Sequence, residues 1–121
     1  RSLLPEKLSF GQAVSASAAS NTFVAAVCAG NWALAGSMME RDHFHEPFRG
    51  ELMPYFTEVR KIAKESGAYG TAVSGAGPSV ITLANLEAVP VICQALKEAF
   101  PNMTIQHVPL VNHGPLVQAI K

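Results

Sequence analysis

"YGTAVSGAGPSVITL", residues 69–83, sets a glycine-rich turn between two apolar runs. Thr71 to Ser74 and Val80 to Leu83 alternate in the manner of short strands, and "GAGP" between them predicts a hairpin. The stretch lacks the dinucleotide fingerprint. Gly75 and Gly77 are present, but Val80 stands where a third glycine belongs, and a strand follows instead of a helix. It also lacks the Lys and adjacent Ser or Thr of a nucleotide-triphosphate loop. Local physics leaves two readings open. One is a plain tight turn. The other is a loop that needs glycine because backbone must come close to another group.

Outward from the hairpin, the pattern turns helical. Ser9 followed by Gln12 fits a capping box and opens a helix over residues 9–29, with Val24, Val27 and Cys28 at helical spacing. The alanines and serines between Ala13 and Ala19 permit close approach of a neighbouring backbone. Gly30 suits the helix end, and Asn31 caps a second helix to about Arg41. Its apolar content is Trp32, Leu34, Met38 and Met39, and the two methionines are expected in the core. Residues 42–50 are expected to form an ordered loop, because Pro47 biases Glu46 toward an extended backbone. A third helix is predicted over 51–66, with Leu52, Phe56, Val59 and Ile62 near one face and Gly67 at its end. Asn85 caps a fourth from about Glu87 to Phe100, apolar at Val89, Ile92, Leu96 and Phe100 and closed by Pro101. Residues 103–111 and 115–120 are expected as two final strands separated by "NHG", with Pro109 marking an edge or a bulge. The expected fold is therefore α+β: an antiparallel sheet of about four strands with helices packed on one face, forming one domain over residues 1–121.

Composition narrows the function classes. The formal net charge is zero, with 49% hydrophobic and 15% charged residues, so neither a nucleic-acid surface nor an acidic tail is indicated. Apolar runs are short and broken, no signal-peptide pattern opens the chain, and a cytoplasmic protein without membrane contact is expected. Cys28 and Cys93 lie in apolar helical patterns and are expected as small buried hydrophobes, with a disulfide as the minor alternative. The chain opens on "RSLLP" without a methionine, which suggests a cut or processed start. Asp42, His43, His45 and Glu46 invite a metal reading. On a helix, however, His43 and His45 point apart, and no second ligand pair has zinc-like spacing. Their better reading is that they order the loop presenting Arg49. His107 and His113 read as partly exposed surface residues.

"SGAGPS" between two strands resembles the third motif of the GHMP kinases, the family named for galactokinase, homoserine kinase, mevalonate kinase and phosphomevalonate kinase. Within that family, "RSLLP", "NTFVAAV", "EPFRGELMP" and "GAYGTAVSGAGPS" are similar to the homoserine kinases. The likeness runs from Arg1 to about Leu83 and weakens from Leu86 onward. It implies a ferredoxin-like carboxy-terminal domain, in which Ser74, Gly75, Ala76 and Gly77 form the wall and brace of an active site. It also implies transfer of the γ-phosphoryl of ATP to the hydroxyl of L-homoserine, giving O-phospho-L-homoserine in threonine biosynthesis.

The phosphate-binding Pro-x-x-x-Gly-Leu-Gly-Ser-Ser stretch of the family is absent from these residues. ATP and Mg²⁺ are thus expected to be held mainly by an amino-terminal domain outside this chain, and the chain alone is expected to be inactive. The resemblance assigns Arg1 and Arg49 to the homoserine carboxylate, which a guanidinium fork pairs through two parallel hydrogen bonds. Plain surface arginine is the alternative for each. No catalytic residue and no metal ligand is assigned in this chain, and a homodimer is a common state of the family. Two other functions stand beside this one. Another GHMP kinase is opposed by "RSLLP" and "EPFRG", since those substrates have no amino-acid carboxylate to clamp. A stand-alone amino-acid-binding regulatory module is opposed by the three helices that precede the first strand.

Overall fold

The computed structural model describes residues 4–49 and 52–111. The hairpin is present. Strand β1 (Gly70–Val73) pairs antiparallel with β2 (Val80–Leu83), in a register that sets Thr71 opposite Thr82 and Val73 opposite Val80. Helices α1 (Phe10–Cys28) and α2 (Trp32–Met39) precede it, followed by a single turn α3 (Glu46–Arg49) and helix α4 (Phe56–Glu65); α5 (Val89–Ala99) comes after the hairpin.

The caps follow the chemistry of the sequence. The Ser9 hydroxyl accepts the Gln12 N–H, and the Gln12 side chain accepts the Ser9 N–H, completing the capping box. The Asn31 side chain accepts the Leu34 N–H and starts α2. Gly30 and Gly67 both take the left-handed backbone that ends a helix, at φ 68° and 97°.

The apolar layer lies between α4 and α5, beneath the hairpin. Val59, Ala63, Ile92 and Leu96 form the buried cluster, with Val80 of β2 and Phe100 packed against it. Burying each of the larger side chains contributes about 1.5–3 kcal/mol. Helix α1 behaves differently. It buries Ala16, Ala19 and Ala26 and leaves Phe10 87% exposed, with Val14 and Val24 also outward. It packs on α2, which in turn meets β1.

Several expectations are corrected. Glu46 is helical, not extended. Pro47 falls in the first turn of α3, where its missing N–H costs no helical hydrogen bond. Helix α4 starts at Phe56 rather than 51. Pro54 cannot sit inside a helix, so residues 52–55 form a turn that buries Met53 and leaves Leu52 65% exposed. Helix α5 starts at Val89 with Pro90 in its first turn, and Asn85 caps the turn before it through the Ala88 N–H. Among the described residues the sheet has two strands, not four. Residues 103–111 form no strand; of them, Ile105 packs against the core cluster. The second expected strand, 115–120, lies outside the described residues, as does His113; His107 is exposed.

The cysteines are free. Cys28 is exposed, because α1 turns its alanines inward, and Cys93 of α5 is half-buried. Met38 and Met39 are half-buried, and Ala35 and Gly36 take the core positions of α2. Among the described residues, no helix is long and apolar enough to cross a membrane.

Candidate functional site

An edge strand offers a row of unpaired backbone groups, and something must answer them. On the side of β1 away from β2, charged side chains do so. Glu40, at the end of α2, accepts the Thr71 N–H at 2.9 Å. Glu46, in α3, accepts the Val73 N–H at 3.0 Å. Between them Arg60 of α4 donates Nε and Nη2 to the Thr71 carbonyl at 3.0 and 2.7 Å. Arg60 Nη2 also pairs with Glu46 Oε2 at 2.6 Å, its Nε lies 3.6 Å from Glu40, and its guanidinium stacks 4.4 Å above the Phe56 ring. Thr71 is 1% exposed and the Glu46 side chain 9%. In such a setting these ionic hydrogen bonds act at short range and in low dielectric.

The root of α3 is held by Asp42. Its carboxylate accepts the N–H groups of Phe44, His45 and Glu46 at 2.8, 3.0 and 2.9 Å. Burial alone would raise its pKa. The bonds from Phe44 and Glu46, the charge of His45 and the bond from His45 outweigh that, and the carboxyl sits below its ordinary value. His43 contacts the Ser15 hydroxyl of α1 at 3.1 Å. The Asp42–Glu46 cluster thus orders the turn that ends in Arg49, as its composition suggested.

The glycine loop is gripped from the same stretch of chain. Gly75 and Gly77 adopt φ of 60° and 76°, and Ser74 N–H bonds the Ser79 carbonyl across the turn. The Tyr55 hydroxyl donates to the Pro78 carbonyl at 2.6 Å. A Cβ on Gly77 would meet Met53 Sδ at 2.9 Å, while one on Gly75 would enter open space. Ser74, Gly75 and Ala76 are exposed and Gly77 is half-buried.

Of the expected site residues, the structure therefore brings the Arg49 turn and the loop Ser74, Gly75, Ala76 and Gly77 into one neighbourhood, through Glu46, Met53 and Tyr55. Arg1 lies outside the described residues. Arg49 is half-buried, and its Nη1 is buried with no hydrogen-bond partner among the described residues. A buried guanidinium nitrogen without a partner is costly and suits an incoming anion. The neighbouring carboxylates do not suit Mg²⁺. Asp42, Glu40 and Glu46 are taken up by backbone N–H groups, and the two glutamates also by Arg60. No group of three or more metal-ligating side chains occurs among the described residues. Sequence reasoning missed Glu40 and Arg60. Arg60 follows Phe56 by one helical turn and so borders the apolar face of α4, which was the one available signal.

Comparison with known proteins gives the family of the chain. The family model described as GHMP kinases C terminal matches residues 23–102. A homoserine kinase of Bacillus cereus (strain AH187) is 50% identical over 114 residues, which are 94% of this chain and 38% of the relative. One from Bacillus anthracis is 49% identical over the same shares. A crystal structure of homoserine kinase from Cytophaga hutchinsonii superposes with a TM-score of 0.75 at 36% identity, over 84% of this chain and 32% of that one. A putative homoserine kinase from Listeria monocytogenes gives 0.67 at 37% identity, over 80% and 33%. The chain thus spans under two fifths of the length of the curated relatives it matches.

Proposed function

This chain belongs to the GHMP kinase C-terminal family, and on that premise we propose that it is the carboxy-terminal domain of a homoserine kinase. The full-length enzyme transfers the γ-phosphoryl of ATP to the L-homoserine hydroxyl. Such transfers depend on positioning and charge neutralisation more than on covalent help. The role of this domain is to bind and orient the amino-acid substrate. ATP, and Mg²⁺ with it, sit mainly on an amino-terminal domain, and the isolated chain turns over no ATP.

The observation that carries the reading is the buried Nη1 of Arg49, without a hydrogen-bond partner among the described residues, three residues after the Glu46 that is tied to the root of the glycine loop. Arg49 clamps the substrate α-carboxylate. The glycine loop gives the reacting end a wall of backbone that leaves room for phosphate. Homoserine kinases among the relatives and solved neighbours support the substrate class.

The test uses full-length enzyme with Arg49→Ala and Arg49→Lys. Arg49→Ala should lower kcat/KM for homoserine by about ten- to a hundred-fold, the worth of one charge-assisted contact. Arg49→Lys should not restore it, since the ammonium keeps the charge but loses the fork. KM for ATP should hold, and the defect should vanish on the decarboxylated analogue of homoserine. Equal losses on both acceptors would assign Arg49 to the fold or the phosphates and sink the clamp.

A further inference from the structure

The clamp needs a fixed distance to the reacting end of the substrate, yet Arg49 stands on a helix of only four residues. A single turn has little stability of its own. Its tie to the sheet is Glu46. One carboxylate oxygen accepts the Val73 N–H at 3.0 Å, in the residue just before the glycine loop. The other pairs with Arg60 Nη2 at 2.6 Å, and Arg60 is itself anchored on the Thr71 carbonyl and the Phe56 ring. A carboxylate this buried is rare unless both oxygens are satisfied, and here both are. The bonds join three elements, α3, α4 and β1, beside the root of the glycine loop.

We propose that Glu46 is a positioning residue for homoserine, with Arg60 as its anchor: the pair locks the Arg49 turn to the root of the glycine loop, so that carboxylate clamp and phosphate-side wall keep one spacing. This rests on the reading of Arg49 as the carboxylate clamp. Glu46 touches no reacting atom and acts through Arg49. A small displacement of a clamp is enough to cost much of the rate, because reacting groups must lie within a near-attack geometry.

The test is kinetic, in full-length enzyme, with Glu46→Ala, Glu46→Gln, Arg49→Ala and the Glu46→Ala/Arg49→Ala double variant, each also followed by thermal melting. Glu46→Ala should lower kcat/KM for homoserine by about ten- to a hundred-fold. KM for ATP should be unchanged, and turnover of the decarboxylated analogue should be spared. Glu46→Gln keeps an oxygen for the Val73 N–H and should recover part of the loss. Adding Glu46→Ala to Arg49→Ala should cost almost nothing more, since a positioning residue has no function once its client is gone.

A merely structural Glu46 would lower the melting temperature and leave homoserine and its analogue equally affected in the folded fraction. That result, or full additivity in the double variant, overturns the proposal. If Glu46→Ala does not fold, Glu46→Gln decides: a homoserine-selective loss supports positioning, and unchanged selectivity overturns it. An Arg49→Ala variant that stays selective for nothing sinks clamp and positioning together. A selective Arg49→Ala beside non-selective Glu46 variants sinks positioning alone.

Discussion

Two regions meet at the hairpin and hold it by different means. Beneath it, the α4–α5 layer uses side chains: Val59, Ala63, Ile92 and Leu96 fill space that any well-shaped apolar set could fill. Along β1 the contact is made by backbone and by charge. Gly36 of α2 and Gly70 of β1 touch backbone to backbone, so a Cβ on either would land inside the other's carbonyl or that of Tyr69. Next to them Glu40 and Arg60 answer the N–H and C=O of Thr71, and Glu46 answers the N–H of Val73. The apolar layer has slack, because side chains can repack. The seam has little, because its geometry is set by hydrogen-bond lengths and by bare backbone. Arg49, one of the two residues expected to bind substrate, stands three residues after Glu46 of that seam.

The largest test of that contrast is Gly36→Ala against Ile92→Val. The added methyl has only backbone to push on, so α2 must leave β1, and we expect a loss of about 3 kcal/mol or more. Removing a methylene from Ile92 should cost about 1 kcal/mol. Chemical denaturation of full-length protein measures both. Similar costs for the two variants would mean the seam has as much slack as the core.

Next comes Gly77→Val against Gly75→Ala. Both positions have left-handed backbone, but Gly77 also faces Met53, the end of a flexible side chain that can give way. Gly77→Val should therefore cost about 1–3 kcal/mol of strain and still melt cooperatively. On the proposed reading of the loop as the brace of the site, homoserine-dependent ADP release by the full-length Gly77→Val enzyme should be lost. Gly75→Ala, with open space around it, should cost about 1–2 kcal/mol. A Gly77→Val enzyme with near-normal turnover would remove the loop from the site.

The smallest effect concerns Asp42, where the seam borrows a charge to hold α3. Its carboxyl lies below the ordinary value of 3.8 in the folded state. The stability it supplies is therefore complete above that value and lost as pH falls through the lower, folded one. Asp42→Asn keeps a cap oxygen but not the charge, so near neutral pH it should be about 0.5 kcal/mol less stable. Denaturation curves of the two proteins should begin to converge as pH falls toward 3.8 and meet below the lower, folded value. A difference that persists unchanged in acid would mean that the charge of Asp42 is not what holds the turn.

Much of this was legible in the chain. The capping box at Ser9, the Asn31 cap, the glycine stops and the "GAGP" hairpin all depend on residues within four positions of one another, and all stand where local chemistry puts them. Errors came where one local rule competed with another. The rule that a residue before proline is extended fails at Glu46, because a first-turn proline fits a helix once Asp42 receives the N–H groups ahead of it. Cys28 was expected inside from its apolar setting, but a helix that packs through alanine turns its larger residues outward.

The sequence by itself determined the order of the four longer helices and the hairpin, the caps at Ser9 and Asn31, the apolar positions of α4 from Phe56 and of α5, and the family, because each of these is written in spacing or in a contiguous motif. Tertiary structure alone decided what covers the edge of β1. Glu40 reaches Thr71 across 31 residues and Glu46 reaches Val73 across 27. No periodicity links such positions. They meet because α2, α3 and α4 all converge on one strand, and because unpaired backbone groups buried there must find partners. The same convergence leaves one buried nitrogen of Arg49 without a partner among the described residues, a feature visible only once the surrounding chain is in place.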